Sequence, residues 1–170
     1  MKAYLAHLSI DSKMKSLKDL IDFNEEHAKE EMPYFKQELF LQAEKKGDLT
    51  DKKYLDALNN NHRLTRKEGI DKIMDKHKLD ALVSPTDSPA WMTDLVDGDH
   101  FIGGSSQLAA IAGYPHITVP AGFVFGLPVG ISFFGRAWSE PLLLKIAYGF
   151  EQATKVRKPP QFLRSADLTI

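Results

Sequence analysis

The sequence predicts an α/β fold in which a helical N-terminal half leads into a small mixed β-sheet flanked by helices. Three observations carry that prediction. Residues 1–78 are rich in charge, nearly free of Gly and Pro, and apolar at helical spacing. From Leu79 onward short apolar runs alternate with Gly and Pro, the punctuation of strands and turns. After Ser139 the apolar residues return to 3.6-residue spacing. At 170 residues the chain is expected to form a single domain, 1–170, with its helical part at 1–78 and its strand-helix part at 79–170.

The elements follow in order. Ser16 and Asp19 have the spacing of a capping box, which starts a helix with Leu17, Leu20, Ile21 and Ala28 on one face and Pro33 at its end. A second helix, Tyr34 to Lys46, places Phe35, Leu39 and Ala43 on one stripe and stops at Gly47. A third runs from after Thr50 toward His77, with Tyr54, Leu55, Leu58, Ile70, Ile73 and Met74 as its buried candidates. Its poorest helix formers, Asn59 to His62, are where a break is expected. Ala81-Leu82-Val83 reads as a buried strand ended by Ser84-Pro85, and residues 86–106 as a long irregular loop with a turn at Asp97-Gly98-Asp99. Gln107 to Ala112 forms a short helix closed by Gly113. His116 to Val119 and Val129 to Phe134 alternate as strands and pair antiparallel across a short connection. The last helix is capped by Ser139, carries Pro141 in its first turn, and turns Leu143, Ile146, Ala147, Phe150 and Thr154 to one side. Three short strands leave edges uncovered, which points to a sheet that extends into something else.

Composition excludes several classes. A net charge of −1 with scattered basic residues gives no field for nucleic acid or an anionic membrane. No stretch approaches the about 20 apolar residues of a spanning helix, and Met1 to Ile10 is too short and mixed for a signal peptide. Cysteine is absent, which rules out disulfides, thiolate metal sites and a cysteine nucleophile, and suits a reducing cytoplasm, the expected location.

The order of motifs in the second half is distinctive. Leu79-Asp80-Ala81-Leu82-Val83-Ser84-Pro85-Thr86 precedes Ala112-Gly113-Tyr114-Pro115-His116-Ile117-Thr118-Val119-Pro120-Ala121-Gly122. Gly126-Leu127-Pro128-Val129-Gly130-Ile131 follows, then Phe133-Phe134-Gly135, Glu140, Leu143-Leu144 and Phe150-Glu151. This series resembles the C-terminal third of amidase-signature enzymes, and Leu17 to Gly69 resembles the helical region before it. The resemblance implies a share in a large mixed sheet flanked by helices, and carboxamide hydrolysis as the activity of the complete enzyme. That chemistry uses a serine nucleophile, a second serine that relays the proton, and a lysine base that must be neutral to act. These residues belong upstream of the matched region, so no catalytic residue is carried over to this chain. The chain is expected to be a C-terminal portion, inactive alone. A small carboxamide would be its substrate only in the complete enzyme, and self-association or pairing with a triad-bearing chain is expected of its uncovered edges. No cofactor is implied. The alternative is a non-enzymatic module of the same fold that binds a ligand or partner.

Other clusters have plainer readings. Gly103-Gly104-Ser105-Ser106 looks like the family's signature, but Gln107-Leu108-Ala109 follows where further glycines belong. Gly104 is expected to permit a turn and Ser105 or Ser106 to cap the next helix. Asp94, Asp97, Asp99 and His100 lack the spacing of a calcium loop, so no metal site is assigned. Of the aromatic residues Trp91, Phe101, Phe133, Phe134 and Trp138, the first two flank the long loop. Trp91 and Phe101 are the substrate-binding candidates, lining the acyl side of a pocket.

Overall fold

A computed structural model of the chain describes residues 4–5, 7–8, 12–92 and 94–162. The chain divides into two compact units, Met1–Leu55 and Asp56–Ile170.

In the first unit, α1 (Leu17–Glu26) starts as its sequence dictates. Ser16 Oγ accepts from the Asp19 amide at 3.2 Å, and Asp19 Oδ2 accepts from the Ser16 amide at 2.8 Å. The Lys15 amide also donates to Asp19, and these bonds hold its carboxyl below the ordinary carboxylate value. The expected run to Pro33 is broken at His27, whose ring stacks on Phe23 at 4.2 Å with φ at −109°. Only a four-residue α2 (Ala28–Glu31) follows. The next helix, α3 (Glu38–Glu44), begins later than Tyr34 because Gln37 is committed elsewhere. Its buried amide donates to the Ile21 carbonyl at 3.1 Å and to Glu25 at 2.7 Å, and accepts from Asn24 at 3.1 Å. Phe35 and Leu39, the expected buried stripe, are exposed.

The helix α4 (Lys52–Thr65) passes through Asn59–His62 without a break. The interruption comes at Arg66–Ile70, a widened π-type turn in which Gly69 leaves helical geometry (φ −106°, ψ −105°). A Cβ at Gly69 would lie 2.6 Å from the Leu64 carbonyl oxygen, so only glycine fits this turn. The turn serves packing: Arg66 Nε donates to the Ala112 carbonyl at 2.7 Å while its guanidinium covers Tyr114. The chain then continues as α5 (Asp71–His77), where Asp71 accepts from the Tyr114 hydroxyl at 2.9 Å. Burial first, and that bond second, push the Tyr114 hydroxyl pKa up. Of the six expected buried positions in this region, Ile70 and Met74 are core, whereas Tyr54, Leu55 and Ile73 are exposed and Leu58 lies between.

The sheet comprises β1 (Leu82–Pro85), β2 (His116–Val124) and β3 (Leu127–Phe134) in the order β1-β3-β2. Pro85 is tolerated because β1 is an edge strand. Both pairings are antiparallel, where a mixed sheet was expected. Phe125 and Gly126 both have positive φ (49° and 73°), the twist of a two-residue hairpin turn, and this forces β2 and β3 to run oppositely. β1 then takes the other side of β3. Register decides which residues share a face. Val83, Phe133 and Ile117 form one row, and Pro85, Ile131 and Val119 the next, on the face that α7 (Glu140–Thr154) covers over β2 and β3. At the edge Val83 and Pro85 stay exposed, so the strand expected to be buried is covered by no helix on this face among the described residues. Leu143, 1% exposed, anchors that layer with Ala147, Val119 and Phe133. Burying such a leucine contributes roughly 2 kcal/mol. On the opposite face Leu82, Phe134 and His116 form a row, and Phe134 packs with Ile70, Met74 and α6 (Gln107–Ala112). The helix α6 ends at Gly113 in the left-handed conformation, as expected. Ser139 precedes α7, but its hydroxyl donates to the Arg136 carbonyl at 2.8 Å instead of capping the helix. No helix among the described residues is long and apolar enough to cross a membrane.

Candidate functional site

The site is built where the long loop leaves and rejoins the sheet. Thr86 continues β1 by donating its amide to the Gly130 carbonyl at 2.9 Å, and its own carbonyl accepts from the Ser105 amide at 3.0 Å. Asp87 and Gly104 form a further antiparallel bridge, so both ends of the loop are clasped at one point. A Cβ at Gly104 would lie 3.0 Å from Asp87 Oδ2 and 3.3 Å from the Thr86 carbonyl. Close approach is thus the reason for glycine at 104, and the positive φ belongs to Gly103 (122°). The expected serine cap is not made either. Ser106 precedes α6 without a side-chain bond, and Ser105 Oγ lies 3.3 Å from the Thr86 carbonyl and 3.4 Å from His116 Nε2.

Within the loop, the Trp91 and Phe101 rings meet at 5.9 Å between centroids with a 50° tilt. The Trp91 indole donates to Asp99. Asp94 accepts from the Val96 and Asp97 amides at 2.8 and 2.9 Å, which closes the turn at Gly98. Those amides, Asp97 first, hold the Asp94 carboxyl below its ordinary value. His100 Nε2 stands 3.7 Å from Asp94. Trp91, Met92, Asp94, Leu95 and His100 line a shallow open depression of about 520 Å³. The sequence pair Trp91 and Phe101 is therefore brought together at the edge of a concavity. Phe133 and Phe134 are both core, on opposite faces, and Trp138 is exposed away from them in the turn before α7. The Ser88 hydroxyl at the loop's start is enclosed without a hydrogen-bond partner.

Beside the clasp, sequence reading missed a cluster of hydroxyls. Ser84, Ser132 and Thr118 form the sheet row next to Leu82, Phe134 and His116. Thr86 Oγ1 reaches Thr118 Oγ1 at 2.5 Å and Ser132 Oγ at 2.8 Å. Gly130 lies beneath them, and a Cβ there would be 2.7 Å from Thr86 Oγ1 and 2.8 Å from Thr118 Oγ1. The signal available in the sequence was parity: Ser132 alternates with Phe133, and the hairpin turn fixes Thr118 opposite it. His116, stacked on Phe134 at 5.7 Å, has its imidazole pKa pushed down by burial. No carboxylate orients it among the described residues.

Chemically, this surface offers apolar contact, hydroxyl donors and one imidazole. The sequence model of the family described as Amidase matches residues 1–144. A probable amidase of Arabidopsis thaliana is 42% identical over 165 residues, 96% of this chain and 28% of that protein. A crystal structure of a peptide amidase in complex with the competitive inhibitor chymostatin superposes with a TM-score of 0.82 at 48% identity, over 89% of this chain and 31% of the other. An amidase family protein from Bacillus anthracis gives a TM-score of 0.71 at 30% identity, over 95% of this chain and 28% of that one. The chain thus spans less than a third of the length of these relatives. It belongs to the amidase-signature family of hydrolases.

Proposed function

We propose that the chain is the C-terminal portion of a carboxamide hydrolase, acting on peptide carboxamides, and that it supplies one wall of the substrate pocket. The observation that carries this is the open half-site itself: an exposed aromatic pair on a loop clasped to a hydroxyl-bearing sheet face. The likeness to a peptide amidase at 48% identity supports the substrate class. In the complete enzyme a serine attacks the amide carbon. The lysine takes the serine's proton through the second serine and returns it to the departing ammonia, and water then releases the acid from the acyl-serine. Those groups come from the triad-bearing portion. Trp91 and Phe101 hold the acyl side, and the protein works in a reducing cytoplasm.

By itself the chain is silent. Among the described residues Ser105 is the one serine with an imidazole in reach, and its single hydrogen also faces the Thr86 carbonyl. Ammonia release from N-acetyl-phenylalaninamide and smaller carboxamides, run with a serine-reactive probe, tests this. Neither turnover nor labelling is expected from the isolated 170 residues. Turnover that vanishes in Ser105→Ala or Ser106→Ala would show that the catalytic machinery lies in this chain after all.

A further inference from the structure

We propose that the Thr118 hydroxyl is a substrate-contacting donor, aimed at an acceptor oxygen of the bound peptide carboxamide by a hydroxyl relay that starts at the buried Ser132; this rests on the hydrolase reading above. Three hydroxyls, Ser132, Thr86 and Thr118, are joined by two hydrogen bonds. Each hydroxyl owns one hydrogen, so two hydrogens fill the relay and the third is free at one position.

Burial decides which. Ser132 has no exposed surface, and among the described residues the one partner of its hydroxyl is Thr86. A hydrogen left over on Ser132 would be enclosed without an acceptor, the costly case for a buried donor. Ser132 therefore donates to Thr86. Thr86 is half-buried between its two neighbours and has no other side-chain acceptor among the described residues, so it donates onward to Thr118. The remaining hydrogen stands on Thr118, which is exposed. Hydrogen bonds in such a chain polarise one another, which sharpens the donor at its open end.

The sequence protects this arrangement at one position. Gly130 lets the two threonines meet across the central strand, and any side chain there would occupy the space of both hydroxyls. Thr86 also clasps the base of the loop that carries Trp91 and Phe101. One residue thus links the apolar contact to the donor. A ligand that satisfies both has an apolar side chain and a carbonyl oxygen, as a peptide carboxamide does.

Titration of the full chain with N-acetyl-phenylalaninamide, followed by NMR at the threonine methyls, tests the assignment. A saturable shift at Thr118 is expected. Binding should weaken about tenfold in Thr118→Val, which keeps the β-branched shape, and return in Thr118→Ser. Thr86→Val removes the relay but leaves Thr118, and should weaken binding as well, with Thr86→Ser restoring it. No saturable shift, shifts confined to the loop, or full-strength binding in Thr118→Val overturns the proposal. Failure of the hydrolase reading is separately visible: a joined, triad-bearing enzyme would bind this amide through Thr118 and release no ammonia.

Discussion

At Gly130 the chain has no room for a methyl group, because two hydroxyls already occupy the space above it. Gly130→Ala is expected to push Thr86 and Thr118 apart and to lower stability by about 1–3 kcal/mol, the range of overpacking in a filled site. Thermal unfolding of the variant measures this, and unchanged stability would mean the hydroxyls do not meet there. His116 makes a second residue-scale prediction. Its folded pKa lies below the ordinary imidazole value because burial disfavours the charged ring. The unfolded chain therefore binds the proton first as pH falls, and stability drops from the ordinary histidine pKa, about 6.5, down through the folded value. Urea midpoints between pH 8 and pH 5 should decline, and His116→Gln should flatten the decline. At this scale the sequence was partly legible. The Ser16–Asp19 box and the left-handed Gly113 follow from local rules that need only near neighbours. Ser105, Ser139 and Thr86 have partners distant in sequence or set by a turn, and so their bonds were not.

Elements tell a similar story. β2, β3 and α7 were readable because alternation and helical spacing survive wherever one face is truly buried. The break in the third helix was placed at Asn59–His62 on propensity, whereas it falls at Gly69, where Arg66 turns to the Ala112 carbonyl. Tertiary contact overrode a weak preference. The later start of α3 has the same origin, in Gln37 serving α1. For α7, Leu143 is the residue on which docking depends. Leu143→Ala should cost about 2–5 kcal/mol by opening a cavity between helix and sheet. A loss well under 1 kcal/mol in chemical unfolding would show that the helix is not held there. In the loop, Trp91 and Phe101 were singled out by position alone, and the structure brings their rings together. The hydroxyl cluster beside them needed the strand register, which the sequence does not state outright.

For the whole molecule, we propose that this sheet and loop form one wall of an amidase pocket. The described sheet has three strands and two open sides, and apolar side chains such as Met92, Val96 and Ile102 stand exposed along the loop. These surfaces fit a larger sheet and a closed pocket in which a triad-bearing portion completes the enzyme. The experiment to make first joins this chain to the upstream portion of the peptide amidase that it resembles at 48% identity, and records ammonia release from N-acetyl-phenylalaninamide. Turnover is expected from the joined protein, with a several-fold higher KM in its Trp91→Ala form, and none from either part alone. A correctly folded joined protein that releases no ammonia, or release by this chain by itself, would contradict the proposal.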